Sequence, residues 1–162
     1  MNKRFLLLIT VLSIAIASTN LSAQSYKNGL GLRFGGLTNG LTVKHFMNSS
    51  SALEGILSVG RQSFIVTGLY EKHSAVDGSK RFNVFYGGGA HIGFFQNGGS
   101  YYYNSNRFYT SSTVVGLDGI LGLDYKFNGA PINISMDIKP FVDFFDGNFV
   151  YFDGGLSLRY TF

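Results

Sequence analysis

The chain has 162 residues, the length of one domain. Its 45% hydrophobic and 14% charged content excludes a disordered chain, and the absence of cysteine excludes a disulfide scaffold or a thiolate metal site. The formal charge of +4 is scattered singly along the chain, so no basic face for nucleic acid is expected.

The first 23 residues read as an address. Lys3 and Arg4 precede an apolar run from Phe5 to Ala17, and Leu21-Ser22-Ala23 supplies small residues for cleavage after Ala23. This is the pattern of a secretory signal peptide. The apolar run falls short of the roughly 20 residues that a spanning helix needs. Removing 1–23 takes away Lys3 and Arg4 and no acid, lowering the formal charge from +4 to +2. Residues 24–162 are then the mature domain.

That domain alternates with period two, and the chain's 22 glycines and 16% aromatic content favour strands over helices. In 26–36, Leu30, Leu32 and Phe34 stand opposite Gly31, Arg33 and Gly35. In 41–46, Leu41 and Val43 oppose Thr42 and Lys44. In 52–59, Leu53, Leu57 and Val59 oppose Glu54 and Ser58. In 64–73, Phe64, Val66 and Tyr70 oppose Thr67, Glu71 and His73. The pattern strengthens in 82–95, where Phe82, Val84, Tyr86, Ile92 and Phe94 oppose Asn83, Phe85, His91 and Phe95. It continues through 115–127 and 132–139 and is cleanest in 151–162. Turn dipeptides are expected at Asn39-Gly40, Asp77-Gly78, Asn97-Gly98, Asn128-Gly129 and Asp146-Gly147, with polar breaks at 48–51 and 60–63. Seven connections make eight antiparallel strands. Pro140 interrupts the seventh, and a bulge or the strand's exit is expected there.

Alternation fits a soluble sandwich or a membrane barrel. Three features favour the barrel. The polar faces are rich in glycine, as a narrow lumen requires. The long strands match the roughly 9–11 residues of a tilted spanning strand. The aromatics also divide into two girdles. One collects Tyr70, Phe82, Tyr86, Tyr125, Phe127, Tyr160 and Phe162; the other collects Phe34, Phe64, Phe94, Phe144 and Phe152.

The ending Leu156-x-Leu158-x-Tyr160-x-Phe162 resembles the C-terminal signature of bacterial outer-membrane β-barrels, and 24–162 resembles the small eight-stranded barrels of the OmpA-barrel and OmpX type. The resemblance implies an all-β, up-and-down transmembrane barrel in the outer membrane with both termini periplasmic. It also implies an assembly signal at Leu158, Tyr160 and Phe162, read by the barrel assembly machinery.

In that architecture the inward charges are Arg33, Lys44, Glu54, Glu71, Asp118, Asp124, Lys126, Asp137, Lys139, Asp153 and Arg159, with His91 among them and Asp143 on the same face. Buried charges are costly unless paired, so a lumen charge network is expected. The bland outcome is a filled barrel; the sharper one is an ion path gated by breakable pairs. A lipid A-modifying enzyme is a further alternative, but no Ser-His constellation supports catalysis, and no cofactor or metal is expected. Gly87-Gly88-Gly89 lies within a strand and is no dinucleotide fingerprint. The connection 96–112 carries Tyr101, Tyr102, Tyr103, Arg107, Phe108 and Tyr109 among Asn and Ser, a paratope-like composition for an extracellular ligand. Extension of the flanking strands above the membrane is the plainer reading of its aromatics. The expected role is structural or surface-interactive, with outer-membrane lipid as partner.

Overall fold

The computed structural model describes residues 26–76, 81–100, 112–144 and 150–162. The signal segment with Ala23 and the aromatic residues 101–109 lie outside these. Seven extended runs close into one barrel: β1 (Asn28–Gly35), β2 (Asn39–Asn48), β3 (Ser51–Ala75), β4 (Phe82–Ser100), β5 (Ser112–Lys126), β6 (Ile132–Phe144) and β7 (Val150–Thr161). The long β3 holds two staves. Its first arm, 51–59, pairs antiparallel with β2, and its second arm pairs antiparallel with β4. Gln62 lies between the arms with a left-handed φ of 52°. The chain reverses there, bringing His73 N to donate to the Ser50 carbonyl at 2.8 Å. The barrel therefore has eight antiparallel strands. β1 closes on β7 from Gly29↔Thr161 to Gly35↔Gly155, and Asn28 and Phe162 exchange two backbone bonds of 2.9 Å.

Two expected turns move. Asn39 and Gly40 begin β2, and the reversal occupies 36–38. Asn39 Oδ1 accepts from Gly35 N at 3.0 Å, which seats the start of β2 against the end of β1. A Cβ on Gly40 would lie 1.8 Å from the Leu57 carbonyl oxygen, so the glycine serves close strand approach. Asn97-Gly98 lies within β4, which runs on to Ser100 and pairs there with Arg61. The register with β3 shifts between Phe95 and Ser100, so the dipeptide lies in an irregular stretch of extended chain rather than in a turn.

Pro140 makes no bulge. It pairs in register with Phe152 of β7. On its other side, pairing with β5 lapses between Asp118↔Phe141 and Leu121↔Ile138 and resumes in the same register. Proline has no N–H to give to β5. Gly119 takes the position across from it, where an added Cβ would touch the Pro140 ring at 3.4 Å.

The wall sorts side chains by parity. Leu30, Leu32, Phe34, Leu41, Val43, Leu53, Leu57, Ile134, Ile138, Leu156 and Leu158 point outward and are exposed. Their polar neighbours point inward and are buried. The rule of a soluble core is thus inverted, with apolar side chains outside and charged ones inside.

The barrel lumen as candidate functional site

Each inward charge is carried by a strand whose alternation fixes its face, and three groups result. The first joins β2, both arms of β3 and β7. Lys44 Nζ lies 3.0 Å from Glu54 and 2.7 Å from Glu71. Arg159 pairs with Glu54 and donates to Ser135 Oγ at 2.7 Å, Asn133 Oδ1 at 3.3 Å and Thr42 Oγ1 at 3.3 Å. Thr42 donates its hydroxyl to Glu54. Asp124 accepts from Asn133 Nδ2 at 2.9 Å. His73 Nε2 lies 2.9 Å from Glu71, and its ring stacks on Phe85 at 5.0 Å. Lys44 Nζ sits 4.4 Å above the same Phe85 ring. Tyr26, Phe46 and His73 continue this aromatic column toward the end that holds the termini, with centroid spacings of 5.2 and 4.8 Å.

The second group centres on Arg33 of β1, which pairs with Asp137 of β6 and lies 3.4 Å from Asp153 of β7. Asp153 also accepts from Leu37 N at 2.8 Å and from the Thr38 hydroxyl, so the β1–β2 reversal is tied into the lumen. Gly155 leaves space for the guanidinium, since a Cβ there would lie 2.3 Å from Arg33 Cζ.

The third group is built by β4, β5 and β6. His91 Nδ1 lies 2.7 Å from Asp118 and Nε2 lies 3.0 Å from Asp143. Lys139 Nζ donates to the other Asp118 oxygen at 2.9 Å and lies 4.6 Å from the Phe141 ring.

Lys126 lies apart from these groups. It is half-buried at the end of β5, and its ammonium donates to the carbonyls of Phe127 at 3.0 Å and Ala130 at 2.5 Å. The strand stops there, so the side chain follows the turn rather than the lumen. The eleven other candidates, from Arg33 to Arg159, are all buried on the inner face, as are Asp143 and His73. Sequence reasoning passed over the apolar share of the lumen. Leu37, Ile65, Phe95, Val114 and Phe141 form one inward cluster, with Tyr151 packed on it, and Ile56, Leu69, Phe85 and Ile120 form another. Parity alone marks these positions, because Phe85, Phe95 and Ile120 share a face with His91, Asp118 and Asp124.

Among the described residues no group of three or more His, Asp or Glu is placed to hold a metal ion. A cavity of about 480 Å³ opens at the end away from the termini, lined by Gln62, Ser63, Phe94, Phe95, Gln96 and Thr113.

The outer surface is asymmetric. All seven described carboxylates, Glu54, Glu71, Asp118, Asp124, Asp137, Asp143 and Asp153, are buried in the lumen. Lys27, Lys72 and Arg81 are exposed and, with Lys126, stand at the end that holds the termini. The outward tyrosines Tyr70, Tyr86, Tyr125 and Tyr160 lie toward that end, whereas Phe34, Phe64, Phe94, Phe144 and Phe152 girdle the other. Leu158, Tyr160 and Phe162 all point outward.

A closed eight-stranded antiparallel wall, apolar outside and charged inside, defines the fold of an outer-membrane-type β-barrel. Among solved structures, the chain is similar to the N-terminal β-barrel domain of Pseudomonas aeruginosa OprF. The likeness has a TM-score of 0.62 at 12% identity and covers 83% of this chain and 95% of that one. At that identity it concerns the fold. No protein-family model and no curated protein matches the sequence.

Proposed function

We propose that the chain is an integral protein of the Gram-negative outer membrane, delivered by its signal peptide, with a structural or surface-interaction role. The observation that carries this reading is the lumen. Its charges are paired across strands and share the interior with two apolar clusters, so side chains fill the space a pore would need. The outward apolar band meets lipid, and Leu158, Tyr160 and Phe162 serve as the assembly signal. The connection between β4 and β5, whose sequence carries Tyr101, Tyr102, Tyr103, Arg107, Phe108 and Tyr109, is where an extracellular ligand would dock. The ligand-sized cavity beside Gln96 stands at the same end.

The test begins with outer-membrane fractions run on a detergent gel with and without boiling. A fast unboiled band that slows on boiling is expected of a closed barrel. A soluble periplasmic protein without that shift overturns the reading. In planar bilayers the folded protein is expected to give no sustained conductance, and regular channel steps would replace the structural role with a permeability role. An altered lipid A mass on expression would replace it with an enzymatic one. Excision of 98–106 is expected to leave the heat shift in place while abolishing surface ligand binding.

A further inference from the structure

The cavity at the end away from the termini sits where two ladders of the wall stop. The β3–β4 ladder is regular as far as Ser63↔Phe95 and resumes at Arg61↔Ser100, a step of two residues on β3 against five on β4. Gln62 alone therefore faces residues 96–99. Among the described residues the β4–β5 ladder ends at the same level, at Phe95↔Ser112. The cavity of about 480 Å³ occupies this parting of the wall. Gln62 holds its left-handed φ of 52° there, a conformation that glycine adopts without strain. The turn thus keeps a carboxamide where the backbone favours glycine, and strain of this kind gathers at functional sites.

The lining sorts into two chemistries. Gln62, Gln96 and Thr113 bring two carboxamides and a hydroxyl, groups that both donate and accept. Phe64, Phe94 and Phe95 bring three rings, and Phe64 and Phe94 are direct cross-strand partners on the outward face. Among the described residues none of those lining the cavity is charged. A charged ligand would enter without a counter-charge, which is costly. A purely apolar one would take the carboxamides out of water unpaired. What fits is a neutral ring with hydroxyls along its edge and C–H bonds across its face. The carboxamides then bond adjacent hydroxyls while the face packs on the negative π-surface of a phenylalanine.

We propose that this cavity binds a neutral sugar ring, through the Gln62 and Gln96 carboxamides, the Thr113 hydroxyl and the Phe64 and Phe94 rings. Its volume lies within the range of small-ligand sites. The phenylalanine girdle marks the membrane border at this level, so a free saccharide and the sugar of a glycolipid in the leaflet both reach it. The proposal deepens, and rests on, the reading of this end as the extracellular docking surface.

The experiment uses the mature full chain, labelled with nitrogen-15 and refolded in dodecylphosphocholine micelles, with folding checked by the heat shift. The probes are methyl glucoside in solution and octyl glucoside carried in the micelle. Saturable shifts of the Gln62 and Gln96 side-chain amide resonances are expected. A response to methyl glucoside indicates a free saccharide as the source, and a response to octyl glucoside alone indicates a glycolipid. Q62G suits the left-handed backbone, and Q62G, Q96A and T113V should each weaken binding about fivefold, the weight of one neutral hydrogen bond. Glucuronate and cyclohexanol should leave the resonances in place. A heat-shifted barrel whose amides ignore both glucosides, or respond equally to glucuronate or cyclohexanol, overturns the sugar site and leaves the docking reading standing. Binding that survives all three substitutions unchanged does the same. A chain without the heat shift overturns the barrel reading and the site with it.

Discussion

Arg159 offers the sharpest test of the lumen. It is 1% exposed, and its guanidinium meets Glu54, Ser135, Asn133 and Thr42. Arg159→Met keeps the unbranched apolar stem of the side chain and removes the charged guanidinium. Asp124 keeps its bond from Asn133, while Glu54 and Glu71 go from two cations between them to one, Lys44, shared at 3.0 and 2.7 Å. Leaving a buried carboxylate without its partner costs about 3–5 kcal/mol. Adding Glu54→Gln restores the balance, because Lys44 then serves Glu71 alone. The double variant should therefore be more stable than Arg159→Met by about 2 kcal/mol, since pairs replaced together cost far less than pairs broken. The assay is a urea titration of the refolded barrel in detergent, followed by circular dichroism and by the unboiled gel band. A loss under about 1 kcal/mol for Arg159→Met, or a double variant as unstable as the sum of its singles, refutes the reasoning.

Four further outcomes are expected. Gly116→Ala places a Cβ 2.4 Å from His91 Cε1 and 2.2 Å from the Val142 carbonyl oxygen, and should cost about 1–3 kcal/mol in the same titration. Gly55→Ala, which meets nothing within 4 Å, should be neutral or raise stability by about 0.5–1 kcal/mol. Phe141→Ala removes a buried ring that stacks on Tyr151 at 5.1 Å and meets His91 at 5.5 Å; a loss of about 3–5 kcal/mol is expected. Phe162→Ala should reduce the amount of barrel recovered from outer membranes while leaving refolding in detergent intact, because the ring is 65% exposed and closure runs through the Phe162 backbone.

The sequence carried the architecture because parity is a local signal. A β-strand repeats every two residues, so Leu156 and Leu158 against Ser157 and Arg159 declare two faces without knowledge of any neighbour. The same signal marks which charges share a face. It cannot say which of them meet. Arg33 lies beside Asp137 because β1 and β6 both flank β7, a consequence of closure rather than of any spacing along the chain. Lys126 illustrates the limit of parity, since the rule lapses where a strand ends. Asn39-Gly40 illustrates a second limit, because short-range turn preference yields when the adjacent strand has groups left to bond. The inward phenylalanines were legible by position. Their role is not local, because an apolar residue on a polar face gains its meaning only from a lumen that needs volume as well as charge.

The lumen pairs also constrain the order of events as the chain assembles. Arg33 finds Asp137 and Asp153 at sequence separations of 104 and 120, and Arg159 finds Glu54 at 105. A partly formed sheet of consecutive hairpins would hold these groups on one surface with their partners still elsewhere. Inserting such a sheet would carry naked carboxylates and guanidinium groups past lipid, at several kcal/mol apiece. Only the meeting of β1 with β7 brings the partners together. For the Arg33 and Arg159 pairs closure and neutralisation are therefore one event, whereas Lys44–Glu54 and His91–Asp118 meet between neighbouring strands before it. In a bilayer, such a barrel is expected to join its two ends of sequence before Arg33 and Arg159 leave water.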